Sequence, residues 1–416
     1  MAWEFSTEPE FQEKLDWMRQ FVRDEIWPLE TIVDELSQDQ LDRIYAPPLS
    51  LGVRAAHYAG RPLAMRVVVT GATGNVGTAV LRALRDEAAV DEIVGAARRL
   101  PAGDPPPKTT WARADVSRDD LEPLLRGADC VVHLAWLIQP SRDEAVTYAT
   151  NVKGSARVFE AAGRAGVGAV VYASSIGTYA PGPKDRGVDE SWPTTGVPSS
   201  FYSRHKAAVE RELSSFEAAH PEVRVVRLRP GLIFQRAAAT GIRRLFAGPF
   251  LPSPLVRAEL VPVVPRHPRL RAQAVHADDV ADAYRRAIVN PDARGPFNIA
   301  AAPPLDGDVV ARLVGAKAVD VPARVLRAAA ALSWRLRLQP SEPGWVDMGL
   351  AVPLMDCTRA REQLGWSPAR SAEDAFLELL AGLRDGAGHP TPPLDPGTSG
   401  PLRVREVLTG VGRTSR

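Results

Sequence analysis

Cysteine is scarce in this chain: among 416 residues there are only two, Cys130 and Cys357. They lie far apart, and neither belongs to a CxxC motif or to a mixed Cys/His cluster. The sequence therefore argues against a disulfide framework and against a structural zinc site. This cysteine usage is typical of a reducing compartment, so we expect a cytoplasmic protein.

Long apolar runs and an excess of charge of one sign are also missing. No apolar run approaches the length of a membrane span, and the acidic N-terminus lacks the basic start and apolar core of a signal peptide. The formal net charge is +1, so nothing favours binding to nucleic acid or to an anionic membrane surface. We therefore expect neither a nucleic acid nor a membrane among the partners.

The sequence does contain a glycine-rich loop between a strand pattern and a helix pattern. The apolar run 67–69 precedes the loop GATGNVG at 71–77, after which apolar residues recur with helical spacing. Such a loop turns sharply and approaches a pyrophosphate closely, and the next helix offers free N–H groups to the anion. An ordinary glycine turn is the alternative. The residues predicted to bind a dinucleotide here are Gly71, Gly74, Asn75, Val76 and Gly77.

A second motif lies downstream. Ser175 follows the apolar run 169–173, and Tyr202 stands four residues before Lys206. On a helix, the tyrosine and the lysine share one face. The lysine ammonium should lower the pKa of the tyrosine hydroxyl and make it a usable acid/base near neutral pH. By itself, however, a Tyr-x-x-x-Lys pattern also occurs by chance on surface helices.

The glycine-rich loop, the strand-end serine and Tyr-x-x-x-Lys, in this order, resemble the extended short-chain dehydrogenase/reductases, which include the NAD-dependent epimerase/dehydratases. The resemblance runs over residues 65–383. Within it, VVHLA at 131–135 is similar to the fourth strand, NVKG at 151–154 to the helix that follows, and 356–368 to the C-terminal signature. The resemblance implies a doubly wound parallel sheet of Rossmann type, a small C-terminal substrate-binding subdomain and a small-molecule substrate.

The resemblance also implies roles for single residues. Tyr202 would be the acid/base, Ser175 would align the substrate oxygen, and Lys206 would hold the ribose hydroxyls of the nicotinamide half. Asp115-Val116 would contact adenine, and Ala135 would lie at the cofactor after the fourth strand. The family commonly forms homodimers through the helix that carries the tyrosine, so we expect a homodimer. No metal is expected.

Three other polar residues have structural alternatives. Asn151 would either belong to a water or proton relay or satisfy backbone groups as a buried side chain. His133 lies in a predicted buried strand, and His276 belongs to a His-x-Asp-Asp-Val segment. We expect both histidines to be structural.

Cofactor preference depends on the end of the second strand. An NAD site usually has an acidic residue there, about twenty positions beyond the glycines, which holds the ribose 2′-hydroxyl. Here the strand ends in Arg98-Arg99, and the next acid is Asp104. Arginines can bind a 2′-phosphate bidentately, so we predict that NADP(H) is preferred to NAD(H). The alternative is a pair of solvated arginines with NAD bound regardless.

Two enzyme reactions stay open. One is NAD(P)-dependent oxidoreduction of an alcohol or ketone, and the other is epimerisation of a sugar nucleotide. Ser-Ile-Gly at 175–177 replaces the Thr-Asp-Glu of related dehydratases, and RPGLIFQ at 229–235 lacks the asparagine and Gly-Pro of sugar-nucleotide enzymes. We therefore favour the oxidoreductase. A non-catalytic dinucleotide sensor ranks last because Tyr202 is present.

The N-terminal segment differs from the rest. WEFST at 3–7 and WMRQFV at 17–22 resemble the first helices of acyl-CoA dehydrogenases. The flavin-binding and C-terminal parts of that family are missing, so no FAD is expected. The predicted segments are a helical segment at 1–50, a linker at 51–64, a dinucleotide-binding domain at 65–235, a substrate-binding portion with returning Rossmann elements at 236–385 and a flexible tail at 386–416.

Alternating strand and helix patterns from residue 65 predict a parallel sheet with helices on both faces. The predicted strands are 66–70, 92–97, 131–134, 169–173 and 224–228. The predicted helices are 75–88, 119–126, 144–165 and 203–219. A further helical pattern covers 305–338.

Overall fold

The computed structural model describes residues 65–249 and 262–399, together with residue 407. The predicted N-terminal helical segment, with its resemblance to acyl-CoA dehydrogenases, lies outside the described residues, and so does the linker at 51–64. None of the helices in the described ranges is both long enough and apolar enough to span a bilayer.

The described strands follow the predicted positions closely. In chain order they are β1 (Met65–Thr70), β2 (Val90–Ala97), β3 (Thr109–Arg113), β4 (Cys130–His133), β5 (Ala169–Ala173), β6 (Gly187–Val188), β7 (Arg224–Pro230), β8 (Leu232–Phe234), β9 (Val263–Arg266), β10 (Ala272–His276), β11 (Gly295–Ile299), β12 (Ala301–Leu305), β13 (Lys317–Asp320) and β14 (Leu354–Met355). All five strands predicted from the sequence are present, with ends displaced by a few residues at most.

The α-helices connect these strands. They are α1 (Asn75–Arg85), α2 (Glu122–Leu125), α3 (Glu144–Tyr148), α4 (Gly154–Arg164), α5 (Phe201–Ala219), α6 (Ala239–Phe246), α7 (Ala277–Val289), α8 (Gly307–Val314), α9 (Ala323–Arg335), α10 (Gly344–Ala351), α11 (Thr358–Leu364) and α12 (Ala372–Asp385). The single helix predicted over 144–165 is divided into α3 and α4 by a π-helical stretch at Ala149–Lys153.

A seven-stranded sheet organises the described part of the chain, with the strand order β11-β7-β5-β4-β1-β2-β3. Every pair of neighbours in it is parallel. The first described strand, β1, lies inside the sheet, and the later strands are added outward on both sides of it, which is the doubly wound Rossmann arrangement. The predicted fold class is confirmed. A three-stranded sheet, β12-β10-β8, and the strand pairs β13-β9 and β14-β6 make up the smaller part.

Burial of both faces explains why the central strands are continuous apolar runs. Val67 and Val69 of β1 pack on one face in a cluster with Leu84 of α1. Val68 lies on the other face, in a cluster with Phe159 of α4. Successive strand residues point to opposite faces, and helices cover both, so no polar alternation is needed.

The helical pattern predicted over 305–338 is interrupted. Gly315 has a φ of +68° and ends α8 in a left-handed cap. Residues 317–320 then form β13, which pairs in parallel with β9. The apolar spacing in this region belongs to two separate helices, because the glycine cap and the strand pairing outweigh a helical pattern that is only locally consistent.

Candidate active site

The glycine-rich loop is shaped by close backbone contacts. Gly71 has a φ of +73°, and a Cβ there would lie 2.7 Å from the backbone nitrogen of Ala135. A Cβ at Gly77 would lie 2.5 Å from the Gly71 carbonyl oxygen. Helix α1 begins directly after Gly74 without a side-chain cap and without an acid in its first turn. The loop is therefore a cradle that only glycine can form, and its helix start suits an anion.

The Asn75 side chain ties this loop to the smaller sheet. Its Nδ2 donates to the Ile233 carbonyl at 3.1 Å, and its Oδ1 accepts from Nε2 of Gln235 at 2.7 Å. Gln235 also accepts from Arg82 at 3.1 Å. The part of Asn75 that can serve a cofactor is thus its backbone at the start of α1. Sequence reasoning missed Gln235, although it ends the segment 229–235 that departs from the sugar-nucleotide pattern.

Residues 387–398 reach the same loop, although their composition predicts a flexible tail. Thr391 is 3% exposed, and its Oγ1 donates to the Thr73 carbonyl at 2.9 Å. The Ala387 carbonyl accepts from the Thr240 backbone nitrogen at 3.0 Å. Leu394 is buried beside Gly241 of α6. Glycine, proline and threonine build tight turns here rather than disorder, because the turns pack on α6 and on the loop.

The peptide unit between Thr73 and Gly74 is held from both sides. The Gly74 N–H donates to the Gly71 carbonyl at 3.0 Å, while the Thr73 carbonyl accepts from Thr391. We expect Thr391→Val to raise the dissociation constant for the dinucleotide about three- to tenfold, since one net hydrogen bond is lost. Calorimetric titration measures this dissociation constant. Thr398→Val is the control, because that hydroxyl bonds only within the segment. Equal constants for the two variants would contradict the prediction.

Ser175, Tyr202 and Lys206 are brought together at the end of β5. Ser175 caps a short 3-10 turn, accepts from the Gly177 backbone nitrogen at 3.0 Å and is hydrogen-bonded to the Tyr202 hydroxyl. A Cβ at Gly177 would lie 2.9 Å from Cε1 of Tyr202, so the glycine lets the ring approach. Tyr202 and Lys206 lie on successive turns of α5, as their spacing predicts.

Lys206 is buried between β5 and an aromatic ring. Its Nζ donates to the Ala173 carbonyl at 2.6 Å and lies 3.5 Å from the ring centroid of Trp136. Burial lowers the pKa of Lys206 well below its usual range, and the Glu210 carboxylate partly offsets this. The Lys206 amine thus lies at the end of β5 near Tyr202, in surroundings that disfavour its charged form, and its role in holding the ribose stays a prediction.

The expected fall in the pKa of Tyr202 is not found. Burial raises the pKa of Tyr202 to about 12, and the hydrogen bond from Ser175 only partly opposes this. Lys206 Nζ lies 5.9 Å from the centroid of the tyrosine ring. Removal of the hydroxyl from water thus dominates, and the lysine is not among the groups that shift the pKa of Tyr202. With the charges of the protein alone, Tyr202 is a proton donor at neutral pH.

Glu210 lies one helical turn beyond Lys206 on α5 and makes buried polar contacts beside it. Its carboxylate accepts from Ser174 at 2.5 Å and pairs with the Arg229 guanidinium at 2.9 Å. Burial opposes ionisation of Glu210, but the bonds and charge of Arg229 outweigh it and keep its pKa below the usual range. Sequence reasoning missed this carboxylate. Its spacing, four residues after Lys206 on the same helix face, was the available signal.

Comparison with known proteins identifies the family. The model of the NAD-dependent epimerase/dehydratase family matches residues 67–300. The chain belongs to this family. The match confirms the resemblance drawn from the glycine-rich loop, Ser175 and the Tyr-x-x-x-Lys motif, and the family is one of NAD-dependent enzymes. The resemblance of the N-terminal segment to acyl-CoA dehydrogenases lies outside this match and stays a prediction.

Three similar proteins show how far the likeness extends. An uncharacterised protein of Mycobacterium tuberculosis is 29% identical over 327 residues, which are 78% of this chain but 31% of that protein. The chain thus spans about a third of that relative's length. UDP-glucose 4-epimerase of Mycolicibacterium smegmatis is 28% identical over 77% of this chain and 99% of its own. The structure of Thermus thermophilus UDP-glucose 4-epimerase with NAD has 21% identity and a TM-score of 0.56, covering 77% and 99%.

In this member of the NAD-dependent epimerase/dehydratase family, Arg98 and Arg99 lie exposed directly after β2. The Gly71 N–H donates to the carbonyl of Ala96 at 2.9 Å, which places the end of β2 against the glycine cradle. Arg98 follows Ala96 by two positions in the sequence, so the arginines begin close to the cradle. Arg98 also acts on Asp115. Burial by itself would raise the pKa of Asp115. The hydrogen bonds from Ser117 and the charge of Arg98 have the larger combined effect, so the pKa of Asp115 lies below its usual range. The residues predicted to surround the adenosine half therefore lie near one another.

Other residues that the sequence analysis singled out are held by contacts within the protein. The Asn151 side chain accepts from the Leu137 backbone nitrogen at 2.7 Å and donates to its carbonyl at 2.8 Å, which favours the backbone-satisfying alternative. Val116 packs on Gly154 of α4. His133 is bonded on both ring nitrogens within the core, and His276 caps α7, so both are structural as expected. Among the described residues, no group of His, Cys, Asp and Glu could hold a metal ion.

Proposed function

We propose that the chain catalyses NAD(P)-dependent oxidoreduction of an alcohol or ketone with Tyr202 as the acid/base. The observation that carries the proposal is the meeting of Ser175, Tyr202 and Lys206 at the end of β5, on the sheet edge that also carries the glycine cradle after β1. Ligands of doubly wound sheets bind at this carboxyl edge. The cradle, whose close backbone packing leaves no room for a Cβ at Gly71 or Gly77, fits a pyrophosphate.

The proposed roles follow from the contacts. The bound nicotinamide supplies the acceptor or donor of the hydride. In reduction, the Tyr202 hydroxyl donates its proton to the ketone oxygen and becomes tyrosinate, and in oxidation the tyrosinate form of Tyr202 accepts the proton of the substrate hydroxyl. Ser175, hydrogen-bonded to Tyr202, holds the same oxygen. Lys206 holds the ribose hydroxyls with the ammonium that now bonds Ala173.

We propose that NADP(H) is the preferred cofactor, on the strength of the exposed Arg98 and Arg99. The double variant Arg98→Asp, Arg99→Ala should lower the NADPH-to-NADH affinity ratio by about tenfold or more, since charge-assisted bonds to the 2′-phosphate are lost. Titration of each nucleotide measures the ratio. Arg126→Ala, an exposed arginine paired with Glu122, is the control. An unchanged NADPH-to-NADH affinity ratio in the double variant would show that Arg98 and Arg99 do not determine the cofactor preference.

A sugar-nucleotide epimerase is the second candidate, favoured by the similarity to the M. smegmatis enzyme along that enzyme's length. The two reactions differ in how the nucleotide is held. We would denature the purified protein, identify any released nucleotide, and titrate nucleotide-free protein with NADPH and NADH. Stoichiometric, tightly held NAD+ would favour the epimerase. Reversible binding with preference for NADPH would support the oxidoreductase.

We also propose a homodimer that pairs through α5 and its neighbour. Val146 and Tyr148 of α3 are 42% and 40% exposed, and the Tyr148 ring lies 5.3 Å from His205 of α5. Apolar side chains exposed beside the helix that carries Tyr202 suit a subunit contact. Light scattering in solution tests this: the mass of two chains supports it, and the mass of one chain contradicts it.

A further inference from the structure

Helix α9 has no buried residue, although most of its residues are apolar. One side of it is held by the neighbouring segments: Arg327 pairs with Asp347 of α10 at 2.9 Å, and Trp334 donates to Ser141 at 3.2 Å. Residues three, four and seven apart share one face of a helix. The face opposite Arg327 and Trp334 carries an apolar row, which we call the α9 stripe. It consists of Val325, Ala328, Ala329, Leu332 and Leu336, the last at the C-cap.

The α9 stripe is exposed along its whole length. Val325 is 49% exposed, Leu332 and Leu336 are each 60% exposed, and Leu338 just beyond the helix is 52% exposed. The two alanines between them are exposed as well. Scattered apolar residues are normal on a protein surface, but a continuous row of them indicates a contact with another body, because burying apolar area is favourable.

The charge beside the α9 stripe has one sign. Residues 321–340 contain four arginines and no acidic residue. Arg324 and Arg335 each come directly before a stripe residue, so both lie along one edge of the stripe. Within the part of the chain that the structure describes, the guanidinium groups of Arg324, Arg335 and Arg337 form no ion pair, whereas Arg327 on the other side is paired. The formal net charge of +1 gave no indication of this surface, because a charge summed over the chain hides a local excess.

We propose that the α9 stripe docks the protein on a membrane surface that contains anionic lipid. Helices that lie in a membrane interface place an apolar face against the acyl chains and hold arginines at the level of the headgroups. With 13 residues, α9 is too short to span a bilayer and would lie in the plane of the surface. This contact does not depend on which reaction the site catalyses.

The shape of α9 favours lipid over a protein partner. The helix stands out from its neighbours without a buried residue, so a protein partner would need a groove of matching shape, with acids opposite the arginines. Lipid adapts to a convex apolar row, and anionic headgroups can meet the arginines wherever they stand along it. An apolar stripe with unpaired arginines at its edge therefore fits a fluid anionic surface.

The test measures binding of the full-length protein to vesicles by flotation. Vesicles of equal parts phosphatidylcholine and phosphatidylglycerol should bind it at least tenfold more strongly than vesicles of phosphatidylcholine alone. Raising the salt from about 0.1 M to about 1 M should remove most of this difference, because the arginine charges are screened. Arg324→Gln combined with Arg335→Gln should weaken binding about twentyfold, since each arginine near an anionic surface contributes about fivefold.

A second variant tests the apolar part of the stripe. Leu332→Glu removes an apolar contact and adds a negative charge, so it should weaken binding at least tenfold. Leu377→Glu makes the same change at a leucine of α12 that is 41% exposed, and it should bind as the wild type does. Thermal unfolding should be unaltered in Leu332→Glu, because that side chain is mostly exposed.

Four results would contradict the inference. The first is a wild type that binds neither kind of vesicle, and the second is binding that persists in both stripe variants, which would place the membrane contact elsewhere. A dimer mass that Leu332→Glu reduces to one chain, without vesicle binding, would assign the stripe to a second copy. Capture by polyglutamate without vesicle binding would assign it to an acidic protein.

Discussion

Replacing Tyr202 with phenylalanine is expected to lower kcat about a hundred- to ten-thousandfold, which is the usual contribution of a positioned acid/base. The ring keeps its contacts with Trp345 and Trp136, so the fold and the binding of cofactor should be retained. Only the hydroxyl is lost, which bonds Ser175 and is the proposed acid/base. Absorbance of the reduced nicotinamide measures turnover, and a titration with NADPH measures binding.

A matched variant makes this result specific. Tyr148→Phe removes the hydroxyl of an exposed tyrosine on α3 and should leave kcat unchanged. Retention of kcat in Tyr202→Phe would remove the acid/base from the mechanism. It would favour a non-catalytic dinucleotide sensor, or a reaction that uses another group as its acid/base.

The pH dependence of the same assay tests the environment of Tyr202. Burial raises its pKa to about 12, so the hydroxyl is protonated at neutral pH and the base form grows as the pH rises. The oxidation rate should therefore increase with pH, whereas the reduction rate should fall only toward the alkaline limb. Burial lowers the pKa of Lys206 well below its usual range, so the lysine is uncharged on the alkaline limb and Lys206→Met should leave the position of that limb unchanged. A limb displaced to higher pH in this variant would contradict this expectation, because it would show that a positive charge on Lys206 favours the tyrosinate.

Gly71→Ala is expected to weaken dinucleotide binding about a hundredfold or more, equivalent to about 3 kcal/mol. The new Cβ would lie 2.7 Å from the Ala135 nitrogen and 2.8 Å from the Leu134 carbonyl carbon, both backbone atoms that cannot rotate away. The loop must shift, and the start of α1 shifts with it. NADPH titration measures the dissociation constant, and thermal unfolding measures the accompanying loss of stability.

The chain offers a close control for this variant. Gly127 has a φ of +76°, almost that of Gly71, but a Cβ there would meet no atom within 4 Å. Gly127→Ala should therefore incur only the backbone strain of about 1–2 kcal/mol and leave nucleotide affinity unchanged. Equal losses of nucleotide affinity in both variants would show that backbone strain, and not the close approach of Leu134 and Ala135 after β4, limits binding.

Local patterns allowed most of the nucleotide-binding half to be predicted. The apolar run 67–69, the glycines after it and the helical spacing beyond them are contiguous, and a parallel sheet with helices on both faces is the arrangement that buries them. Tyr202 and Lys206 share a helix, so their common face follows from spacing alone. The order of loop, serine and Tyr-x-x-x-Lys along the sequence indicates the family.

The remaining features depend on pairs of segments that the sequence does not link. Thr391 contacts Thr73 across 318 positions, and Gln235 contacts Asn75 across 160. The raised pKa of Tyr202 likewise reflects rings brought to it from other segments, whereas spacing indicated only the lysine. The parallel sheet, the glycine cradle and the shared helix face of Tyr202 and Lys206 are each encoded in neighbouring residues, so local patterns were enough to predict them. The contacts of Thr391 and Gln235 with the loop, and the burial of Tyr202, arise only where distant segments pack together, because desolvation is a property of the folded chain and not of any one segment.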